Sequence, residues 1–422
     1  MAAREIHVTI VGGSWAGVAA VHELVQLAQV TYPRLMVTLV EQRTHYFHKT
    51  GMIRGLVDKQ YADLMFIPYN RLFARGGVNS ANHRFVCARL KHVHEHFIEV
   101  EGGGRIFYDY LILATGTEYA SLPVTQSSTA EECKLLYDAM KEAIEVADNI
   151  LFVGGGAVGI GLCGEIAEMF PQKIITLAHA RDKLLNDDLS TGFANTTEAR
   201  LRKMGVHLLL GETVVPAAPS IYSSKSSLTT TRMYTYSQHR AWEVRPQELV
   251  TKSGRRVLCD LAIWTTGSRP NTDYIITLPA GKTPLVDADT GRIAVRPSLQ
   301  LVDTRYPHIF AVGDVNTLPL AEKYATSATN QARHAVAGIR ALIDECYDFR
   351  IKMSPTMAAE SALRAHIPPY LAPAKRQQTV TVALGSNQEV TSSLFARFHS
   401  WARGTKRGRR YLIDKAQKML NY

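Results

Sequence analysis

The apolar positions at the start of the chain form a strand followed by a helix. Four of residues 6–11 are aliphatic, with His7 and Thr9 between them, and apolar residues then recur with a helical period from residue 15 to residue 30. Between the two lies a glycine-rich turn with Gly12, Gly13, Ser14 and Gly17. This pattern predicts the strand-turn-helix unit of a dinucleotide-binding domain. For a single turn of this kind, the alternative is an ordinary strand, turn and helix without a ligand.

The same pattern occurs a second time further along the chain. A second apolar strand, residues 150–153, leads into a complete G-x-G-x-x-G turn whose glycines are Gly154, Gly156 and Gly159. About a hundred residues after each turn an aliphatic strand ends in a threonine-glycine pair. These ends are Ala114, Thr115 and Gly116 in the first copy and Thr265, Thr266 and Gly267 in the second. Two ordered copies of one pattern indicate two related domains.

Each glycine of such a turn has a separate structural role. One permits the tight turn, one lets the backbone approach a pyrophosphate, and one lets the helix pack on the strand, while the helix N-terminus attracts the phosphates. In the first copy Ser14 replaces the middle glycine. A serine narrows the gap but leaves its backbone N–H available, so we expect the first turn to bind a dinucleotide despite the substitution.

The residue that ends the second strand of each unit indicates which nucleotide is bound. Glu41 ends that strand in the first unit and suits the ribose hydroxyls of FAD or NAD. In the second unit His179 takes this place, with Arg181 and Lys183 close behind. A basic cluster suits a 2′-phosphate, so the pattern favours NADPH at the second site. The alternative is a solvated basic turn.

Composition and charge restrict the class of protein. The chain has 422 residues, 46% of them hydrophobic and 20% charged, and a net charge of +10. We expect a globular cytoplasmic protein, because the sequence has neither a membrane-spanning apolar run nor the apolar block of a signal peptide. The cysteines are scattered, without a paired motif, at Cys87, Cys133, Cys163, Cys259 and Cys346. They indicate neither a disulfide framework nor a redox dithiol, and we predict no metal site.

With a further segment, the chain resembles the FAD-dependent pyridine nucleotide oxidoreductases. That segment is YPHIFAVGDVN, in which Gly313 and Asp314 match the family's second FAD signature. The resemblance runs from Ile6 to about Arg340. The segment after Glu41 and the tail of the chain are similar to the apoptosis-inducing-factor homologues of the mitochondrion-associated inducer-of-death, or ferroptosis suppressor, branch. That branch reduces quinones with NAD(P)H.

The resemblance implies an α/β fold with two Rossmann-like domains in a glutathione-reductase-like architecture and a small C-terminal α+β region. The FAD domain would comprise residues 1–125 and 275–348, the NAD(P)H domain residues 126–274, and the C-terminal region residues 349–422. Within the inserted domain, the polar stretch of residues 216–248 is typical of a long hairpin or loop excursion. One departure from the family is Gly161, where members often carry a glutamate. It puts the nicotinamide contacts in question.

FAD and NAD(P)H would supply the redox chemistry, and the protein the positioning and electrostatics. The helix after Asp314 is expected to direct its N-terminus at the flavin, with Lys323 adding positive charge, although a solvated Lys323 is the alternative. Quinone reduction also needs protons, for which His48 and Glu165 are candidates. For His48 the alternative is a histidine packed in a loop near the flavin.

The predicted function is therefore a flavin-dependent NAD(P)H oxidoreductase with a quinone or similar small acceptor. A redox-sensing interaction protein of the apoptosis-inducing-factor kind, with weak turnover and affinity for nucleic acid, is the alternative suggested by the positive charge. Sulfide:quinone oxidoreduction would require cysteines beside the flavin. We expect a monomer or homodimer that does not bind nucleic acid. The basic, aromatic tail from Arg397 suits peripheral contact with a mitochondrial or lipid-droplet membrane, or packing on the FAD domain.

Overall fold

The computed structural model describes residues 5–73, 82–119, 128–185, 190–215, 242–319, 324–352, 367–371, 381–383, 389–391 and 413–421. Three sequence expectations therefore concern residues outside the described ones. They are the charge of Lys323, the polar excursion at residues 216–241 and most of the basic tail. The described helices are α1 (Trp15–Val30), α2 (Met52–Gly55), α3 (Lys59–Leu64), α4 (Ala130–Val146), α5 (Ala157–Met169), α6 (Thr191–Lys203), α7 (Ala325–Lys352) and a tail helix (Ile413–Met419).

The described strands group into seven sheets. In chain order they are β1 (Ile6–Val11), β2 (Leu35–Glu41), β3 (His45–Phe47), β4 (Phe66–Pro68), β5 (His83–Cys87), β6 (Leu90–Val93), β7 (Phe97–Val100), β8 (Arg105–Phe107), β9 (Tyr110–Leu113), β10 (Thr117–Glu118), β11 (Asn149–Val153), β12 (Ile174–His179), β13 (His207–Leu210), β14 (Val214–Val215), β15 (Gln247–Thr251), β16 (Arg256–Cys259), β17 (Leu261–Trp264), β18 (Arg269–Pro270), β19 (Ile309–Ala311), β20 (Thr381–Ala383) and β21 (Glu389–Thr391). Single 3-10 turns lie at Lys49–Gly51, Tyr69–Arg71, Asp273–Thr277 and Gly313–Val315.

The first large sheet has five parallel strands in the order β19-β9-β1-β2-β5. Its central strands are almost entirely buried, as expected of parallel strands covered on both faces. Helix α1 packs beside the long helix α7, and both contribute buried residues to the main core. Strand β19 comes from a distant part of the sequence, so this sheet is assembled from two pieces of chain.

The second large sheet has four parallel strands in the order β13-β12-β11-β17. In each sheet the strand before the glycine turn, β1 or β11, lies in the interior of the sheet. The next strand is added on one side of it and a later strand on the other side, so the strand order reverses there. Such a switch point leaves a crevice at the carboxyl ends of the strands, where ligands bind in open α/β sheets. The two sheets therefore repeat one architecture, as the two glycine turns predicted.

Two chain crossings connect the units built on these sheets. The short strands β10 and β18 pair antiparallel immediately after the two threonine-glycine ends. The pairing brings both crossings to one place, next to the carboxyl edge of the first sheet.

The tail helix packs on the first unit. Ile413, Ala416 and Leu420 are completely buried in the main core, and the Asn421 side chain donates to the backbone carbonyl of Arg71 at 2.9 Å. This part of the tail therefore contributes to the hydrophobic core. Among the described helices, no span is long and apolar enough to cross a bilayer.

Candidate dinucleotide sites

The first glycine turn is closely packed against the end of β9. Gly12 has a φ of +103°, and a Cβ there would overlap the carbonyl of Ala114. A Cβ on Gly17 would overlap the carbonyl of Gly12, because α1 begins directly against the strand. Both positions therefore exclude every residue but glycine, for the reasons that the turn pattern implies.

Ser14 occupies a position that does not require glycine. Its φ is −91° and its ψ is −158°, which is extended backbone, and it is the residue that precedes the first turn of α1. The equivalent residue of the second turn, Gly156, has a similar φ of −81° and ψ of −179°, and a Cβ there would meet open space. The serine thus fits without strain, and the backbone N–H groups at the start of α1 remain available to a phosphate.

Glu41 orders the first turn from the end of β2. Its carboxylate accepts a hydrogen bond from the N–H of Gly13 at 2.6 Å, and the side chain of Arg43 lies 3.4 Å from the other carboxylate oxygen. Tyr69 donates its hydroxyl to the carbonyl of Gly13. All of these side chains are buried. Glu41 therefore fixes the turn, and it is also at the position expected to contact the adenosine ribose.

A cavity of about 580 Å³ opens at the carboxyl edge of the first sheet. Most of the FAD-site residues predicted from the sequence line it, namely Gly12, Gly13, Ser14, Glu41, Ala114, Thr115, Gly116, Gly313 and Asp314. Its size lies within the range of ligand-binding clefts. An open cradle over a helix N-terminus without acidic residues in its first turn fits an anionic dinucleotide.

The second FAD signature forms the opposite wall of the cavity. The N–H of Gly313 donates to the buried side-chain oxygen of Gln331 at 2.8 Å, and the amide of Asn316 donates to the same oxygen at 2.9 Å. Gln331 lies on α7, so this helix holds the turn that presents Asp314. Tyr324 and Ala325, where α7 begins, also line the cavity. The start of α7 therefore faces the cavity, and its direction towards the flavin stays a prediction.

Lys49 is a cavity residue that the sequence reasoning did not assign. Its amine donates to the carbonyl of Thr117 at 3.0 Å. The pKa of Lys49 is lowered to about 8, mainly by burial and in smaller part by the nearby Arg43, whereas Asp314, Glu41 and Glu118 act to raise it. The sequence signal that could have identified Lys49 was its position after β3, in the segment that follows Glu41.

The second glycine turn repeats the packing of the first. Gly154 has a φ of +120°, and a Cβ there would lie 2.8 Å from the carbonyl carbon of Thr265. A Cβ on Gly159 would overlap the carbonyl of Gly154 and lie 2.6 Å from Oγ1 of Thr265. The Thr265 hydroxyl donates to the Gly154 carbonyl at 2.8 Å. This close agreement between two distant segments supports a second dinucleotide site.

His179 takes the structural place of Glu41 in the second unit. Its Nδ1 accepts a hydrogen bond from the N–H of Gly155 at 3.0 Å, just as Glu41 accepts from Gly13. Nδ1 therefore carries no proton. A ring without a proton on Nδ1 is neutral. Burial favours that form by lowering the pKa of His179, with a smaller contribution from Arg181, while the backbone of Leu185 acts to raise it. Arg181 is exposed and donates to the carbonyl of Leu185 at 3.2 Å.

The threonine-glycine end of β9 is tied to the returning chain. The Thr115 hydroxyl donates to the carbonyl of Asn271 at 2.9 Å and lies 2.7 Å from the hydroxyl of Tyr274. The Asn271 amide donates to the carbonyl of Thr115 at 3.0 Å. Gly267, the equivalent glycine of the second unit, has a φ of +42° and open space around its Cβ position. These contacts fix the wall of the cavity at the crossing between units.

The two proposed proton carriers are not among the described residues that line the cavity. Glu165, on α5 of the second unit, forms a buried ion pair of 2.6 Å with Arg54 on α2 of the first. Burial raises the pKa of Glu165, while Arg54 acts against that rise. His48 is completely buried, and its Nε2 lies 3.0 Å from Oγ1 of Thr50, which does line the cavity. Proton transfer by either residue stays a prediction.

These two linked sites define a class of protein: an oxidoreductase with one site for a flavin dinucleotide and another for a pyridine nucleotide. A model of the pyridine nucleotide-disulphide oxidoreductase family matches residues 6–338, and the chain belongs to that family. The protein is a flavin-dependent NAD(P)H oxidoreductase that uses FAD and NAD(P)H. When bound, these cofactors supply hydride transfer and electron storage, and the residues above position them.

Named relatives cover most of the chain. Apoptosis-inducing factor homolog B of Dictyostelium discoideum is 25% identical over 351 residues, 81% of this chain and 82% of the relative. Ferroptosis suppressor protein 1 of Mus musculus is 27% identical over 336 residues, 79% of this chain and 80% of the relative. These matches agree with the branch that the motifs and tail resemble.

Solved structures share the fold. The sulfide:quinone oxidoreductase of Aquifex aeolicus has a TM-score of 0.64 at 14% identity, covering 98% of this chain and 92% of its own. The water-forming NADH oxidase of Lactobacillus brevis, bound to NADH, has a TM-score of 0.60 at 19% identity, covering 94% and 77%. Both have the two-domain Rossmann-like architecture expected from the sequence.

Proposed function

We propose that the electron acceptor is a quinone or a similar small molecule, reduced without a cysteine relay. The observation that carries this proposal is the composition of the cavity wall. Among the described residues that line the cavity, none is a cysteine. A disulfide or persulfide relay would need a thiol within bonding distance of the flavin ring, and this wall supplies none.

Three of the described cysteines, none of which lines the cavity, have environments that disfavour redox chemistry. Cys133 and Cys163 are completely buried in the main core. Burial raises the pKa of Cys163 well above its usual value, which suppresses the reactive thiolate. Cys87 is exposed, but its thiol contacts the carbonyl of Gln42 at 3.8 Å. These environments favour an acceptor that reacts directly.

Aromatic residues of the cavity suit a flat acceptor. Trp15, Tyr274 and Tyr324 all line it, at the ends of different elements. Planar side chains of this kind stack with planar rings such as quinones. The resemblance to the ferroptosis suppressor branch supports the same acceptor class.

The test is a half-reaction experiment on the purified full chain. NAD(P)H is added anaerobically until the yellow flavin colour bleaches, and a short-chain quinone, a small disulfide or buffer alone is then mixed in. We expect the quinone to restore the colour much faster than the disulfide or buffer. The variants Cys133→Ala and Cys163→Ala should restore it at the parent rate. Recolouring no faster with quinone than with buffer would refute the proposed acceptor.

The redox-sensing alternative gives a different result in the same preparation. It predicts slow recolouring with every quinone, together with a salt-sensitive shift of DNA and a change of assembly on adding NAD(P)H. A colourless protein that cannot be reconstituted with FAD would contradict both proposals.

A further inference from the structure

A tight hairpin beside the FAD cavity carries an unassigned cluster of side chains. Strands β6 and β7 pair antiparallel, with His92 opposite Glu99 and Val93 opposite Ile98. The N–H of His94 donates to the carbonyl of Phe97 at 2.9 Å and closes the turn. Val93 and Ile98 are completely buried. Because side chains alternate along a strand, His92, His94 and Glu99 share the opposite face.

The three side chains converge on one point. Nδ1 of His92 lies 3.6 Å, and Nε2 of His94 3.7 Å, from the same carboxylate oxygen of Glu99. The three potential ligand atoms lie within 4.8 Å of one another. These separations are too long for hydrogen bonds. They approach the spacing of about 3.4 Å between two ligands of a tetrahedral zinc ion with bonds of about 2.0–2.2 Å.

His94 has a ring nitrogen without a hydrogen bond. Its Nε2 is inaccessible to solvent and forms no hydrogen bond to any described residue. The ring stacks on Phe97 with the ring centres 4.3 Å apart and the planes 17° apart, which fixes its orientation. An unsatisfied buried nitrogen aimed at a carboxylate is the arrangement that a bound cation would complete.

The charges around the cluster are compatible with one cation. The side chain of Arg105 approaches the other Glu99 oxygen at 3.3 Å and also lies over the Phe97 ring. It orients the carboxylate while leaving the oxygen between the histidines open, although its charge reduces the affinity for a cation. Two neutral imidazoles and one carboxylate form a set of zinc ligands that leaves a fourth position for water.

We propose that His92, His94 and Glu99 bind one Zn²⁺ ion with water as the fourth ligand. The site would stabilise the cavity wall. The Thr277 hydroxyl donates to the backbone carbonyl of Val93 at 2.9 Å, and Thr277 belongs to the 3-10 turn that presents Tyr274 to Thr115. His92 itself lines the cavity. Zinc would therefore cross-link a hairpin that supports the FAD site.

The test measures zinc on the flavin-loaded full chain after treatment with a chelator. Equilibrium dialysis against micromolar ZnCl₂, followed by elemental analysis, should give one zinc per chain. The double variant His92→Ala/His94→Ala should bind at least about tenfold more weakly. The matched control is His96→Ala, because His96 lies in the same turn, is 71% exposed and is outside the cluster. It should bind zinc like the parent.

A second measurement keeps the outcome decisive if the double variant folds poorly. X-ray absorption of the zinc-loaded parent should show nitrogen and oxygen neighbours, with the scattering signature of two imidazoles and no sulfur. Zinc should also raise the thermal unfolding temperature of the parent and of His96→Ala, because it binds the folded form. Sulfur ligation, equal binding by the double variant, or loss of zinc from His96→Ala would each overturn the proposal.

Discussion

At the scale of single residues, Lys49 predicts how FAD binding depends on pH. Its pKa of about 8 means that the amine in the folded apoprotein loses its proton over a range in which a free lysine, at 10.5, stays charged. The charged amine therefore opposes folding below pH 8, and stability from this group rises between about pH 8 and 10.5. A bound pyrophosphate instead favours the charged amine of Lys49, because the positive charge stabilises the negatively charged phosphates.

We therefore expect the affinity for FAD to fall as the pH rises above about 8. Lys49→Met should bind FAD more weakly, and its affinity should not depend on pH in this range. Lys49→Arg keeps a fixed charge, so its affinity should also be independent of pH but higher than that of Lys49→Met. Release of fluorescent flavin at a series of pH values measures both. An unchanged slope in Lys49→Met would show that another group titrates.

His179 and Arg181 predict the choice between NADPH and NADH. A carboxylate at position 179 can accept from Gly155 as Glu41 accepts from Gly13, so His179→Glu should preserve the turn while repelling a 2′-phosphate. Combined with Arg181→Ala, it should shift the ratio of kcat/KM towards NADH by about tenfold or more. Lys203→Ala, an exposed cation at the end of α6, is the matched control. An unchanged ratio would mean that neither residue contacts the ribose.

At the scale of elements, the pair between α2 and α5 predicts a cost in stability. Arg54 and Glu165 are both buried, so Glu165→Ala leaves a guanidinium without its carboxylate. Such a loss typically costs about 3–5 kcal/mol in the free energy of unfolding. The double variant Arg54→Met/Glu165→Leu should recover most of it. Chemical denaturation measures the free energy of unfolding of both variants. If the pH profile of turnover is also unchanged in Glu165→Ala, Glu165 positions the two domains and does not transfer protons.

The elements also show what the sequence could predict. The two glycine turns and the threonine-glycine ends indicated both sheets and the cofactor loops, because each pattern depends on contacts within a short segment or its repeat. Other contacts could not be predicted that way. The Arg54–Glu165 pair needs the relative position of two separate helices, and the His92–Glu99 cluster needs the register of its hairpin. The neutral ring of His179 depends on which ring nitrogen faces Gly155. The buried tail helix depended on a partner surface far away in the sequence.

At the scale of the whole molecule, the core packing of the tail and its proposed membrane contact can be tested separately. Its described end packs in the core through Ile413 and Leu420, and the amine of Lys415 lies 5.3 Å above the ring of Trp15, which lines the cavity. Truncation before residue 413 should therefore destabilise the FAD domain whether or not a membrane is present. A useful variant leaves this helix intact and changes only the basic residues before it.

The net charge of +10 and the basic cluster ahead of the tail helix predict peripheral membrane binding. Replacing Lys406, Arg407, Arg409 and Arg410 with glutamine removes four positive charges, each contributing about 1 kcal/mol near an anionic surface. The parent should co-sediment with anionic but not neutral vesicles, more weakly at high salt, and the variant should remain in the supernatant with its FAD and thermal stability unchanged. If the parent itself stays in the supernatant at low salt, the charge serves another purpose, and a water-soluble acceptor becomes the better expectation.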